Sequence, residues 1–127
     1  MGAWGFQFNE NDGALDFLGD VTDSRDWGSV AACLTDYVDN GGYDDADQAI
    51  AASELVAAAI GKASPLLENE LSAWAIQHST EAADLRPVAA NAAKLALSSS
   101  ELNELWSEAE EYSDWQATLG DLISRLG

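Results

Sequence analysis

The chain has very little of the two side chains that carry most redox and metal chemistry. Among its 127 residues there is one cysteine, Cys33, and one histidine, His78. A single cysteine excludes an internal disulfide and a multi-cysteine zinc site. We interpret Cys33 as a small hydrophobic residue within a helix and His78 as a side chain at the boundary of the core. The sequence therefore predicts no metal, no cofactor and no catalytic residue, and an enzyme is the minority interpretation.

Basic residues are also scarce. Five Lys and Arg stand against 23 Asp and Glu, which gives a formal net charge of −18 at pH 7. Nucleic-acid binding depends on Lys and Arg that face phosphates, so we predict no direct nucleic-acid binding. Anionic membrane surfaces are disfavoured for the same reason. A partner of this chain would be basic at its contact surface. The alternative, to which we give equal weight, is that the charge serves solubility.

Long apolar runs are missing from the sequence. Residues 1–5 contain no basic segment followed by an apolar one, so we do not interpret them as a secretory leader. No stretch reaches the roughly 20 apolar residues that a membrane-spanning helix needs. Glycine with Lys and Ser or Thr in the order of a phosphate-binding loop is absent as well. We therefore predict a cytoplasmic protein.

What the chain does contain is enough apolar material for a core. Hydrophobic residues make up 47% of it and five are Trp, which suffices for one domain at this length. Apolar residues recur at helical spacing between capping residues and breakers. The predicted helices run from Asn9 or Asn11 to about Gly19, from Asp26 to Asn40, from about Asp44 to Ile60, and onward from Ser64, Asp84, Ser98 and Ser113.

These segments predict an all-α protein. We expect a single irregular bundle of six or seven short amphipathic helices, forming one domain over residues 1–127. Residues 1–9 carry aromatic side chains between glycines without helical spacing. We predict that they form an extended N-terminal arm whose aromatic rings dock onto the helices.

Carboxylates repeat at helical spacing in two of the predicted helices. Residues three and four apart share a face of a helix, so each set forms an acidic stripe. The candidate interaction residues are Asp12, Asp16 and Asp20 in the first stripe and Glu101, Glu104, Glu108 and Glu111 in the second. Taken singly, each stripe is better interpreted as an ordinary solvated helix face.

The two ends of the chain resemble a known family. The opening reads Met1-Gly2-Ala3-Trp4-Gly5, then Phe8, Asn11-Asp12 and Asp16-Phe17, and a later stretch reads Ser100-Glu101-Leu102-Asn103-Glu104-Leu105-Trp106 with Trp115 beyond it. This pattern resembles the small bacterial proteins known as domain of unknown function 4259. The resemblance implies a bacterial cytoplasmic protein without an assigned activity. The signature residues, which we interpret as structural, are Trp4, Phe8, Asn11, Asp12, Asp16, Trp106 and Trp115.

Two classes of function are compatible with these patterns. The leading hypothesis is a non-catalytic protein-interaction module whose acidic stripes engage a basic partner, in its sharpest form an inhibitor or immunity-type protein. The alternative is a small-ligand binder or enzyme with a site under the N-terminal arm, formed by Trp4, Asp12, Asp16 and His78. The sequence leaves the oligomeric state open.

Overall fold

The computed structural model describes residues 5–127, so Trp4 lies outside the described residues. The described chain is helical and contains no strand over this range, which confirms the all-α prediction. Its α-helices are α1 (Asp12–Ser24), α2 (Trp27–Asp39), α3 (Ala46–Ala59), α4 (Asn69–Gln77), the short turn α5 (Ser79–Ala82), α6 (Arg86–Ser99), α7 (Glu101–Trp106) and α8 (Tyr112–Leu126), with a 3-10 turn at Ala83–Leu85 between α5 and α6.

Helix α3 lies at the centre of the bundle. Twelve of its 14 residues are buried, and α1, α2, α4, α6 and α8 pack around it. A helix that is apolar on all sides can only be placed inside a protein. Most of its buried residues are alanines, whose small side chains let the neighbouring helices come close. One polar contact crosses to α6, where the Ser53 hydroxyl donates to the Ala89 carbonyl at 3.1 Å.

The described part of the N-terminal arm is not extended. The Glu10 amide donates to the Gln7 carbonyl at 3.1 Å, and the Glu10 carboxylate accepts from the Gln7 amide at 3.3 Å. These two bonds close a compact turn just before α1. Phe8 is buried and Phe6 packs against the core, so these two rings dock onto the helices even though the segment is folded back.

Several predicted helix boundaries hold. Asn11, and not Asn9, caps α1, since its side-chain oxygen accepts from the Ala14 amide at 2.7 Å. Asp26 caps α2 through the Gly28 amide at 2.9 Å. Pro87 lies in the first turn of α6, where a residue without an N–H costs nothing.

Four predicted boundaries were wrong. Helix α1 continues past Gly19 to Ser24 because the buried stripe extends to Val21. The Ser64 hydroxyl accepts from the Leu66 amide at 3.2 Å, which closes a local turn, so α4 begins only at Asn69. Ser100, and not Ser98, caps α7. Ser113 lies inside α8, which begins at Tyr112.

Within the described residues, every helix is too short or too polar to cross a bilayer. The cytoplasmic location stays a prediction.

Candidate functional site

A glycine turn after α2 positions the first wall of the site. The chain reverses at Gly41 and Gly42, both with positive φ, a conformation that glycine adopts without steric cost. The Gly42 carbonyl accepts from the buried Tyr37 hydroxyl at 2.6 Å, and a Cβ at this position would lie 2.7 Å from the Cβ of Leu95. Only glycine fits here, and the turn directs residues 43–45 toward α7.

Two hydrogen bonds attach this loop to α7. The Glu101 amide donates to the Tyr43 carbonyl at 2.9 Å, and the Tyr43 hydroxyl donates to the Glu104 carboxylate at 2.8 Å. The second bond raises the pKa of Tyr43, because a neighbouring carboxylate favours the protonated phenol. The loop and the start of α7 therefore form one continuous surface.

The start of α1 approaches the start of α3 on the other side. A Cβ at Gly13 would lie 2.0 Å from an Asp47 carboxylate oxygen, so glycine lets the first turns of the two helices come this close. Asp12 stands beside Gly13 and is exposed. The two helix starts thus form the wall opposite α7.

An open cavity of about 720 Å³ lies between the loop at residues 43–45, α7 and the starts of α1 and α3. We call it the acidic groove. Among the described residues, its lining includes no Lys, Arg or His. Tyr43 and Leu105 at its edge are 43% and 41% exposed, so the groove also offers apolar surface. Its five carboxylates are those of Asp12, Asp44, Asp45, Asp47 and Glu101.

The acidic groove brings together Asp12 of the first predicted stripe and Glu101 of the second. The second stripe was wrong as a single helix face, because α7 ends at Trp106 and Glu108 and Glu111 lie beyond its end. The other members of the stripes lie outside its lining, namely Asp16, Asp20, Glu104, Glu108 and Glu111. All of these are exposed. Sequence reasoning missed Asp44, Asp45 and Asp47 as site residues. Their only signal was an acidic run directly after a glycine turn.

A second, more enclosed cavity of about 350 Å³ lies between residues 5–8 and helices α3, α7 and α8. We call it the N-terminal cavity. It shares Asn11, Asp47 and Leu102 with the acidic groove, so the two adjoin. Four of the signature residues line it, and these are Phe8, Asn11, Trp106 and Trp115.

Helical spacing explains which polar side chains reach the N-terminal cavity. On α3, Asp47 and Glu54 are seven residues apart, which places them on one face. On α8, Asp114, Asp121 and Arg125 likewise repeat at intervals of seven and four. All five side chains belong to the cavity lining.

Glu54 and Arg125 form a buried ion pair at this cavity. Two guanidinium nitrogens of Arg125 donate to the two carboxylate oxygens of Glu54 at 2.8 and 3.0 Å. Arg125 also donates to Asp121 at 2.8 Å and to the Lys62 carbonyl at 3.1 Å. Burial raises the pKa of Glu54 although Arg125 opposes this, and Glu54 in turn raises the pKa of Arg125.

Cys33 and His78 lie away from both cavities. Burial, with the charges of Asp45 and Asp36, raises the pKa of the Cys33 thiol to about 11, so it stays protonated and is a poor nucleophile. His78 is exposed and its ring lies 5.8 Å from that of Trp74. Within residues 5–127, no cluster of three or more His, Cys, Asp or Glu could hold a metal ion.

A sequence profile described as "Domain of unknown function (DUF4259)" matches residues 2–118. The chain belongs to this family. No curated protein and no solved structure matches the DUF4259 chain significantly.

Proposed function

We propose that this DUF4259 protein is a non-catalytic interaction module whose acidic groove binds a basic protein partner. One observation carries the proposal. Asp12 and Glu101, from opposite ends of the chain, line one groove with three further carboxylates, and no described residue of this lining has a basic side chain. Uncompensated charge of one sign around a concave surface attracts cations, speeds encounter with a basic partner and rejects acidic ones.

The shape of the acidic groove supports a macromolecular partner. It is open, it adjoins a third cavity through Asp44 and Asp45, and it adjoins the N-terminal cavity through Asp47. The three cavities are therefore neighbours on the surface. An extended basic segment could contact more than one of them, while exposed Tyr43 and Leu105 add the apolar contacts that anchor interfaces.

In its sharpest form, the proposal is that the protein acts as an inhibitor or immunity-type protein. Such a protein would occupy the cationic substrate channel of a nuclease or similar toxin. The high negative charge of the chain and the concentration of carboxylates in one groove support this form, because complementary charge accelerates association with a positive channel.

The test compares two variants of equal charge. The groove variant carries Asp12→Asn, Asp44→Asn, Asp45→Asn and Glu101→Gln. Asn tolerates the left-handed conformation of residue 45, whose φ is 65°. The control variant carries Asp16→Asn, Asp20→Asn, Glu108→Gln and Glu111→Gln, which removes four charges outside the groove. Binding of a labelled hexa-lysine peptide, a defined basic probe, is measured by fluorescence anisotropy.

We expect the groove variant to bind about tenfold more weakly than the wild type, since exposed charge pairs contribute roughly 0.2–1 kcal/mol each. The control variant should lose at most about twofold, through its lower net charge. Equal losses in both variants would show that the whole surface, and not the groove, attracts the probe, and the proposal would be wrong.

A small-ligand site beneath the N-terminal segment is the second candidate function. The N-terminal cavity favours it, because enclosed cavities of about 300–1,000 Å³ commonly bind small molecules. Its lining differs from the predicted one. Asp12 belongs to the acidic groove, Asp16 and His78 line neither cavity, and Trp4 lies outside the described residues.

A small molecule that raises the melting temperature of the wild type but not of an Ala117→Leu variant would establish this second function. Ala117 is exposed and lines the N-terminal cavity, so a larger side chain there narrows the cavity from its exposed side and leaves the core unchanged. A molecule that stabilises both proteins equally binds elsewhere.

A further inference from the structure

The N-terminal cavity combines aromatic walls with an excess of carboxylates. Phe6, Phe8, Trp106 and Trp115 supply aromatic surface. Among its titratable lining residues, four are carboxylic acids and one is an arginine. Aromatic faces and carboxylates together are the groups that recognise organic cations.

Arg125 does not make this cavity a site for anions. Its Nε and both terminal nitrogens already donate to Asp121, Glu54 and the Lys62 carbonyl. An anionic ligand would have to displace Glu54 or Asp121 from Arg125. It would then be repelled by the remaining carboxylates of the lining.

Two carboxylates of the lining remain available. Within the described residues, no Lys, Arg or His forms an ion pair with Asp47 or Asp114. Asp114 is exposed and Asp47 half-buried. Asp47 also lines the acidic groove, so it lies where the groove and the N-terminal cavity adjoin.

We propose that the N-terminal cavity receives an arginine side chain of the basic partner as its anchoring residue. This inference rests on the proposed function of the acidic groove. A cavity of about 350 Å³ suits one long side chain and not a folded element. Arginine fits better than lysine, since its planar, weakly hydrated guanidinium stacks on aromatic rings and pairs with carboxylates. Buried arginines that fill a pocket dominate the energy of many interfaces.

The experiment compares hexa-arginine and hexa-lysine peptides of equal charge by fluorescence anisotropy. The wild type should bind hexa-arginine roughly tenfold more tightly, a difference within the range of a desolvated cation–π contact. Ala117→Leu, which narrows the cavity without altering charge, should remove most of this preference, because it weakens hexa-arginine binding more than hexa-lysine binding. Ala73→Leu is the matched control, because Ala73 is exposed on α4 and lines neither cavity. It should keep the preference.

The indole N–H signals in an NMR titration of the wild type with hexa-arginine give a second readout that needs no variant. Signals of Trp106 and Trp115 should shift, while those of Trp27 and Trp74, which stack on each other at 4.8 Å elsewhere in the core, should stay. Uniform shifts or none would overturn the assignment of the cavity.

The outcomes separate this inference from the proposed function. If the groove variant loses affinity for both peptides and the wild type shows no preference for hexa-arginine, the groove is the binding site and the arginine pocket is ruled out. If the groove variant binds both peptides as tightly as the wild type, both proposals are overturned. Agmatine, a free guanidinium compound, is titrated alongside. If it binds as tightly as hexa-arginine, the cavity takes a free small cation and an anchoring side chain is ruled out.

Discussion

At the scale of single residues, the buried Glu54 makes the stability of the protein depend on pH. It is 3% exposed and accepts two hydrogen bonds from Arg125, yet its pKa is raised. A carboxyl with a raised pKa binds more protons in the folded than in the unfolded state. Its contribution to stability is therefore present below its ordinary pKa and is lost as the pH rises through the raised value.

We predict that Glu54→Gln is at least as stable as the wild type at pH 7. The neutral amide matches the protonated acid in shape, so the two proteins should converge in stability toward about pH 4 and separate as the pH rises. Urea unfolding over about pH 4 to 8 measures the difference. A variant that is less stable at neutral pH, with a gap that widens with pH, would show that the ion pair is net stabilising.

Arg125→Met is the complementary variant. It leaves the Glu54 carboxylate buried without its partner, which costs about 3–5 kcal/mol in comparable pairs. We expect most of this loss at pH 7 and much less in acid, where Glu54 takes up a proton. A loss that is the same at both pH values would point to packing of the arginine side chain as its cause.

At the scale of secondary-structure elements, Ser100 decides where α7 begins. Its hydroxyl accepts from the Asn103 amide at 2.9 Å and donates to the Ala96 carbonyl at 2.6 Å, and it is fully buried. We predict that Ser100→Ala costs about 1–2 kcal/mol, since it removes a cap and leaves buried backbone groups without a partner. Chemical denaturation monitored by circular dichroism measures this.

Ser98→Ala is the matched control for this prediction. Ser98 is exposed and donates only to the carbonyl one turn earlier, at 2.9 Å. Its replacement should change stability by less than about 0.5 kcal/mol. Equal effects of the two variants would mean that Ser100 does not set the helix start.

Ser98 and Ser100 show what the sequence pattern can predict and what it cannot. Helical spacing predicted most of the long helices, because it depends on neighbours along the chain. The pattern could not decide between Ser98 and Ser100, since that depends on which hydroxyl is buried against α6. Nor could it bring Asp12, Asp47 and Glu101 into one groove. The packing of α1 against α3 brings Asp12 and Asp47 together, and two long-range hydrogen bonds of Tyr43 bring the start of α7 to the loop at residues 43–45.

At the scale of the whole molecule, repulsion between negative charges destabilises the folded state. With a net charge of −18, the folded state concentrates like charges that the unfolded chain spreads apart. We predict that the melting temperature rises with salt. Going from about 0.01 M to 1 M shortens the screening length from about 30 to 3 Å, and calorimetry measures the change.

The melting temperature of the groove variant, which has four fewer negative charges, should rise less with salt than that of the wild type. An equal gain in both proteins would indicate a general salt effect on apolar burial and not relief of repulsion.

The central position of α3 has a consequence for hydrogen exchange. Amides of its middle turn, such as those of Leu55 and Val56, are enclosed by the surrounding helices and can exchange only when the whole molecule unfolds. The Glu101 amide, bonded to the Tyr43 carbonyl at an exposed loop, needs only a local opening. Exchange measured by NMR should therefore give Leu55 the free energy of global unfolding and Glu101 a much smaller one. The loop side of the groove would then open and close while the middle of α3 stays closed, so a partner could enter without any cost to the core.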